Sequence, residues 1–195
     1  MKDVLQGITL LCLIKEDPAR KGLTWTAFLN AADIAEAARK LLAAEYHLEE
    51  ITGLDVREGF VVLYSFDRSN CCERVSLRVL LPHAAPDVPS IAGIYQGAEW
   101  HEREAADFYG IRFDGNPNPT RLLLPPDMND FPLRRKDAER SSLRAIFTPV
   151  SGTYIHKDPA FTLLDEEPAA EAAAGGKPAP AAKNKAAEPA PSKES

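Results

Sequence analysis

The chain has 195 residues, of which 45% are hydrophobic and 27% are charged, so it is long enough for one sizeable core. Its formal net charge of -6, with no long block of lysine and arginine, argues against nucleic acid as the main partner. Its three cysteines form neither a disulfide framework nor a metal-binding motif, which indicates reduced thiols in a cytosolic protein.

The N-terminal segment GITLLCLIK (7–15) is apolar but far shorter than the ~20 residues that a membrane-spanning helix needs. The residue before Cys12 is Leu11, whereas a lipoprotein signal has a small residue there. This pattern favours a buried strand or helix over a targeting signal. We assign residues 1–22 to an N-terminal extension and expect any membrane association to be indirect.

Residues 23–113 carry strand and helix patterns that predict an α+β domain. We expect a mixed sheet of about four strands with two or more packing helices. The four strand patterns are LTWTAFL, HLEEITGLDV with an irregularity at Gly53, GFVVLYSFD, and ERVSLRVLLP.

The first helix is predicted over 31–45, because Ile34, Ala38, Leu41 and Leu42 recur at helical spacing. Asn30 is a candidate N-cap, and Asp33 follows close to the positive end of the helix.

The last strand pattern alternates clearly between apolar and polar residues, which predicts a half-buried strand. One face holds apolar residues and the other holds Arg74, Ser76 and Arg78. The polar stretch 67–70 is expected to join this strand to the preceding one as a hairpin. Adjacent Cys71 and Cys72 are interpreted as part of a turn or strand edge rather than as a redox pair.

Two segments follow the predicted domain. Residues 114–165, called the strap below, begin with the proline-rich DGNPNPTRLLLPPDMNDFPLRRKD, and we predict an extended segment that docks on its own domain or on another protein. Residues 166–195 are rich in Ala, Pro, Lys and Glu. Because this segment has no large apolar side chains, we predict that it is a disordered tail.

The segment EWHEREAADFYGIRF raises the question of function, because it concentrates charged and aromatic residues. Glycines bracket a predicted helix from Ala98 to Tyr109, in which Glu99 and Arg103 are four residues apart. Helical spacing places Glu102 and Glu104 in rows of apolar or aromatic residues. Buried carboxylates need partners, so the spacing predicts that both are paired.

Four interpretations of this helix remain open from its pattern. They are a solvated helix face, an acid/base pair of Glu102 and Glu104 with His101, a Mg²⁺ or Ca²⁺ site, and an interface-type charge network. No nucleophile–base set or metal motif accompanies the carboxylates. The cations for a charge network are available downstream, at Arg112, Arg121, Arg134, Arg135 and Lys136.

The residues WHEREAADFYGIRFDGNP, RLLLPPD and FPLRRKD resemble the C-type subunit of NADH-quinone oxidoreductase, the respiratory complex I. The family signature is E-R-E-x-x-D, two aromatic or aliphatic residues, and G-I-x-F-x-G. Signature and interface residues by this resemblance are Glu102, Arg103, Glu104, Asp107, Phe108, Tyr109, Gly110, Ile111, Phe113, Gly115, Arg121, Pro132, Arg134, Arg135, Lys136 and Asp137. The chain departs from the family pattern at Asn116 and Phe131, where the family usually has histidine, and at Thr120, where it usually has a basic residue.

The resemblance implies an α+β scaffold with no cofactor, metal or catalytic residue of its own. It implies a peripheral subunit on the cytoplasmic face of the inner membrane, beside the B-type iron–sulfur subunit and the D-type quinone-pocket subunit. Iron–sulfur clusters, quinone, and FMN or NADH then belong to partner subunits of an ion-translocating complex. Alternatives are the equivalent subunit of a ferredoxin-, F420H2- or hydrogen-dependent complex, and a stand-alone acid/base enzyme using Glu102, Glu104 and His101.

Overall fold

The computed structural model describes residues 1–147 and 152–165 of the chain. The strands in this part are β1 (Leu10–Lys15), β2 (Trp25–Leu29), β3 (His47–Val56), β4 (Gly59–Asp67), β5 (Val75–Leu81), β6 (Asp87–Pro89), β7 (Arg112–Asp114) and β8 (Thr153–Lys157). The α-helices are α1 (Pro18–Lys21), α2 (Ile34–Ala43), α3 (Ala98–Tyr109) and α4 (Leu143–Phe147). None of the helices described is long and apolar enough to cross a bilayer.

Within the described residues, the main sheet has six strands in the order β3-β4-β5-β2-β1-β8, and β6 and β7 form a separate parallel pair. Among these six strands, β2 and β5 are parallel neighbours and the other neighbours are antiparallel. The predicted α+β class and mixed sheet are therefore confirmed, with six strands in place of about four.

The two additional strands come from outside the predicted domain of 23–113. Strand β1 lies in the predicted N-terminal extension, and Cys12, Leu13 and Ile14 on it have no exposed surface. Strand β8 lies in the strap and pairs with β1. The main sheet therefore reaches beyond both predicted boundaries. The predicted disordered tail, 166–195, lies outside the described residues.

One face of the sheet carries the larger core. Alternate residues of β4 and β5 contribute Phe60, Val62, Tyr64, Phe66, Val75, Leu77, Val79 and Leu81 to it. Helix α2 packs there through Ile34, Ala38 and Leu41, as its spacing predicts. Leu42 was expected on the same face, but it is 47% exposed.

The start of the first helix also differs from expectation. Residues Ala31–Asp33 form a 3₁₀ turn before α2, and the Asn30 side chain makes no capping hydrogen bond.

The second face of the sheet is covered as well, so the prediction of a half-buried β5 is wrong. Ser76 and Arg78 on β5 are only 2% and 6% exposed. A second core lies over this face; its strap members are Leu143, Phe147, Phe161 and Leu164. The short apolar groups of the strap, rather than another long helix, supply this layer.

The connection between β4 and β5 agrees with the predicted hairpin, because the two strands are antiparallel neighbours. Cys71 and Cys72 lie in a turn within this connection, and both are exposed. Arg68 Nε lies 2.8 Å from Cys71 Sγ.

Candidate functional site

Helix α3 has the predicted bounds, Ala98–Tyr109, and holds the charged signature. It ends at Gly110, whose φ of +68° is a left-handed conformation that glycine adopts without strain. A Cβ at Gly110 would lie 2.7 Å from Phe131 Cζ and would also collide with the Arg134 guanidinium. Glycine is therefore required both for the helix end and for the approach of the strap.

Glu102 is fully buried on α3 and is held by neutral donors. Ser90 Oγ donates to Oε2 at 2.6 Å, Ile91 N to Oε1 at 2.7 Å, and Asn116 Nδ2 to Oε2 at 2.7 Å. Burial raises the pKa of Glu102 even though these three hydrogen bonds lower it. The prediction that Glu102 is paired is correct, but none of the expected arginines is among these partners.

Asp107 is 2% exposed, and its side chain binds the backbone of the strap. Its Oδ2 accepts hydrogen bonds from the backbone N–H groups of residues 122, 123 and 124, at 3.0, 2.8 and 3.1 Å. Burial alone would raise the pKa of Asp107, but the three N–H donors and Arg121 together lower it. Arg121 Nη1 lies 3.7 Å from Oδ1, so one of the predicted cations does approach a signature carboxylate.

Arg103 binds the strap immediately before this point. Its guanidinium donates to the backbone oxygens of Thr120 at 2.9 Å and Arg121 at 3.1 Å. It also contacts Glu99 at 3.3 Å, which is the predicted pair four residues apart. Arg103 therefore connects one turn of α3 to the strap.

Glu104 does not have the buried environment that its spacing suggested. Its side chain is exposed, and Trp100 in the same helical row is 63% exposed. Helix α3 instead packs through the row that contains Ala98, Glu102 and Ala105. Glu102 and Glu104 consequently lie on different faces and do not form a carboxylate pair.

The remaining signature residues of α3 and β7 pack inside the protein. The Tyr109 ring lies against Gly53, where a Cβ would be 2.6 Å from Tyr109 Cδ2. Gly53 pairs regularly with Val62, so the feature at this position is a close approach; the register shift of β3 lies between Leu48 and Glu50. Phe108 is half-buried, and Ile111 and Phe113 are buried. Gly115, with φ of +93°, lies in the turn after β7.

The basic sequence PLRRKD lies beyond the C-terminal end of α3. Arg134 Nε donates to the Tyr109 carbonyl oxygen at 2.7 Å, and its guanidinium stacks on Phe131 at 4.2 Å and on Phe60 at 5.1 Å. Leu133 N donates to the Phe108 carbonyl oxygen at 3.3 Å. Pro132 and Lys136 are exposed.

Another buried carboxylate, Asp55 on β3, holds the part of the strap that contains PLRRKD. It accepts hydrogen bonds from Arg135 N and from His83 Nε2, both at 2.8 Å. Arg140 Nε lies 2.8 Å from Oδ1, and Asp137 pairs with the same arginine. Burial opposes ionisation of Asp55, but these donors together lower its pKa. Sequence reasoning missed Asp55, His83 and Ser90, because a single polar residue in a strand or loop gives no local signal of its partner.

Three of the positions at which the chain departs from the family pattern contact α3 or its end. Asn116 donates a hydrogen bond to Glu102, and Thr120 accepts one from Arg103. The Phe131 ring stacks on the Arg134 guanidinium beside Gly110. A cavity of about 450 Å³ lies between α3 and this part of the strap.

Together, the fold and the site define an α+β protein whose buried signature charges attach its own chain segments to one helix. A family model described as "Respiratory-chain NADH dehydrogenase, 30 Kd subunit" matches residues 28–142, which is more than half of the chain. The chain therefore belongs to this 30-kDa family of complex I, the C-type family that its signature resembles.

Two curated relatives illustrate the similarity. The J-type subunit of NAD(P)H-quinone oxidoreductase from Synechococcus sp. (strain WH7803) is 48% identical over 101 residues, covering 51% of this chain and 50% of that protein. The C-type subunit of NADH-quinone oxidoreductase from Chloroherpeton thalassium is 39% identical over 87 residues, covering 44% of this chain and 36% of that protein. The matched stretch thus spans half or less of these relatives.

A solved structure has a similar fold. It belongs to the membrane-bound sulfane sulfur reductase, described as an archaeal respiratory membrane complex. The TM-score is 0.52 at 21% identity, and the match covers 74% of this chain and 85% of that one.

Proposed function

We propose that this chain is a structural subunit of the peripheral arm of an NADH-quinone oxidoreductase-type complex. Such a complex passes electrons through iron–sulfur clusters to quinone and couples this to ion translocation. The chain scaffolds the B-type iron–sulfur subunit and the D-type quinone-pocket subunit, on the cytoplasmic face of the membrane. Family membership supports the class of assembly, and the arrangement around α3 supports the role.

The observation that carries the role is the division of α3 into two faces. The inner carboxylates Glu102 and Asp107 each accept three hydrogen bonds from donors of the chain itself, which ties them to its own fold. The outer side and the attached strap expose large apolar side chains: Trp100 at 63%, Leu123 at 58% and Leu133 at 49%. Large exposed apolar side chains next to charged groups are typical of protein interfaces.

We further propose that the redox groups lie in the partner subunits. In this interpretation iron–sulfur clusters, quinone, and FMN or NADH are bound by the neighbours. The charged residues of α3 then serve assembly rather than proton transfer.

Affinity purification from detergent-solubilised membranes tests this proposal. The tagged full-length chain is expected to co-purify with an iron–sulfur protein and a quinone-pocket protein, identified by mass spectrometry. Co-purification with a ferredoxin-, F420H2- or hydrogen-oxidising module would identify an electron donor other than NADH. It would leave the proposed structural role of the chain unchanged. A chain recovered only as a free monomer would refute the role in such an assembly.

A further inference from the structure

Arg78 on β5 is a buried arginine that the arrangement around α3 does not use. Its residue surface is 6% exposed, on the second face of the main sheet. The guanidinium carbon lies 4.0 Å from the ring centre of Phe147 and 5.6 Å from that of Phe28. These rings stabilise the cation through its flat face, and they leave the donors along its edge to be satisfied separately.

Among the residues that the structure describes, Arg78 lacks a carboxylate within ion-pair distance. Its one hydrogen bond there runs from Nε to Ser76 Oγ, at 3.3 Å. Glu16 is the acidic residue whose charge acts on it most, but Glu16 is already bound by Lys21 at 2.9 Å and by Thr26 at 3.1 Å. A guanidinium has five N–H donors, so the terminal nitrogens of Arg78 have capacity to spare.

Burial makes the charged form of the Arg78 side chain less stable. Burial lowers the pKa of Arg78 to about 10, although Glu16 and Cys12 act in the opposite direction. The group therefore remains a cation at neutral pH. A buried cation without a counter-charge is unfavourable unless an anion or further acceptors reach it.

A cavity of about 400 Å³ opens beside Arg78. The hydroxyl-bearing residues Ser65 and Ser76 line it, together with Lys21 and Arg74. Arg74 is paired with Glu49 at 2.6 Å, and Lys21 with Glu16. Arg78 is thus the cation of this cavity with no ion-pair partner in the described part of the chain.

The acidic residues at the cavity limit the charge that it can accept. Glu49 is neutralised by Arg74, and Glu50 is exposed and accepts a hydrogen bond from Ser65 at 3.3 Å. The side chains that line the cavity carry three positive charges, on Lys21, Arg74 and Arg78, and two negative charges, on Glu49 and Glu50. The fitting ligand carries one compact anionic group with several acceptor oxygens.

We propose that this cavity is an oxyanion-binding site, in which a carboxylate or phosphate group receives N–H donors from Arg78 and a hydroxyl donor from Ser76. The planar guanidinium matches the geometry of both groups. The volume lies in the range of small-molecule sites, so the anionic group can be a free ion or part of a small metabolite. This site is separate from α3 and the strap contacts on which the proposed structural role rests.

The test is a titration of the full-length chain with inorganic phosphate at constant ionic strength. Arginine Nε–H NMR signals report the site, and the unfolding midpoint in urea reports stabilisation. We expect a saturable shift of the Arg78 signal and a phosphate-dependent increase in the midpoint. Parallel titrations with acetate and glycerol phosphate show whether a carboxylate or a phosphate ester is preferred.

Variants separate the site from general ion effects. Arg78→Met is expected to weaken binding at least tenfold; because it removes a buried unpaired charge, it should also raise the midpoint in phosphate-free buffer. Ser76→Ala keeps the arginine and should weaken binding by a smaller factor, and it serves if Arg78→Met does not fold. Arg39→Met, at an exposed arginine of α2, is the matched control and should bind as the parent does.

The proposal is overturned if phosphate stabilises Arg78→Met as much as the parent chain. It is also overturned if the signals of exposed arginines such as Arg39 shift together with that of Arg78, which would indicate a nonspecific ion effect. Equal binding by Ser76→Ala and the parent would contradict the proposed set of donors.

Discussion

Asp107 attaches the strap to α3, and Asp107→Asn tests this attachment. One carboxylate oxygen accepts three backbone N–H donors of residues 122–124. A hydrogen bond to a charged group contributes about 1.5–3 kcal/mol. Asparagine keeps one neutral oxygen and adds an N–H₂ group that these donors cannot satisfy. We expect a loss of about 2–4 kcal/mol in the free energy that holds this segment.

Hydrogen exchange at the amides of residues 122–124 measures this loss directly. A change of ~2 kcal/mol corresponds to an exchange rate about 30-fold faster. Urea unfolding measures how far the same substitution lowers the free energy of unfolding of the whole domain. The control is Asp127→Asn, because Asp127 is exposed in the same segment and should change neither measurement. Unchanged exchange at these amides in Asp107→Asn would refute the reasoning.

The pH dependence of this effect has a defined sign. The pKa of Asp107 is lower in the folded chain than its ordinary value. Its contribution is therefore complete above the unfolded-state pKa of about 4 and is lost as the pH falls through the folded-state value. The difference between the parent and Asp107→Asn should narrow under acid conditions.

Three further changes are expected to have distinct effects. Burial raises the pKa of Glu102, so the parent should lose stability as the pH rises from the unfolded-state pKa to the folded-state pKa. In urea unfolding, the stability of Glu102→Gln should lack this pH dependence. Gly110→Ala should lower stability by about 1–2 kcal/mol in thermal or urea unfolding, because φ is +68° there, whereas Gly93→Ala, with open space around it, should be nearly neutral. Arg103→Met should accelerate hydrogen exchange next to residues 120–121 without changing the helical circular dichroism, and equal protection in both chains would contradict its role.

Helix α3 could be predicted to the residue because its signals are local. Gly97 and Gly110 flank it, and its apolar residues recur at helical spacing. Strands β3, β4 and β5 were predicted for the same reason. The positions of β1 and β8 were not, because their pairing depends on contacts between distant parts of the chain.

The partners of the charged side chains were predicted less well than the helix itself. Helical spacing placed Glu102 and Glu104 in rows with apolar neighbours, but it did not show which row faces the sheet. Nor does the sequence show that a buried carboxylate is satisfied by a serine, a backbone amide and Asn116 rather than by arginine. Both answers depend on loops that fold back over α3.

The central claim is that the exposed apolar side of α3 and the strap binds a partner protein of the complex. The most direct measurement is photo-cross-linking in native membranes, with a photoreactive amino acid at Leu133 of the full-length chain and, as control, at Arg39. The account predicts a specific cross-link from Leu133 to the quinone-pocket or iron–sulfur subunit, and none from Arg39. No cross-link from Leu133, or the same products from both positions, would contradict it.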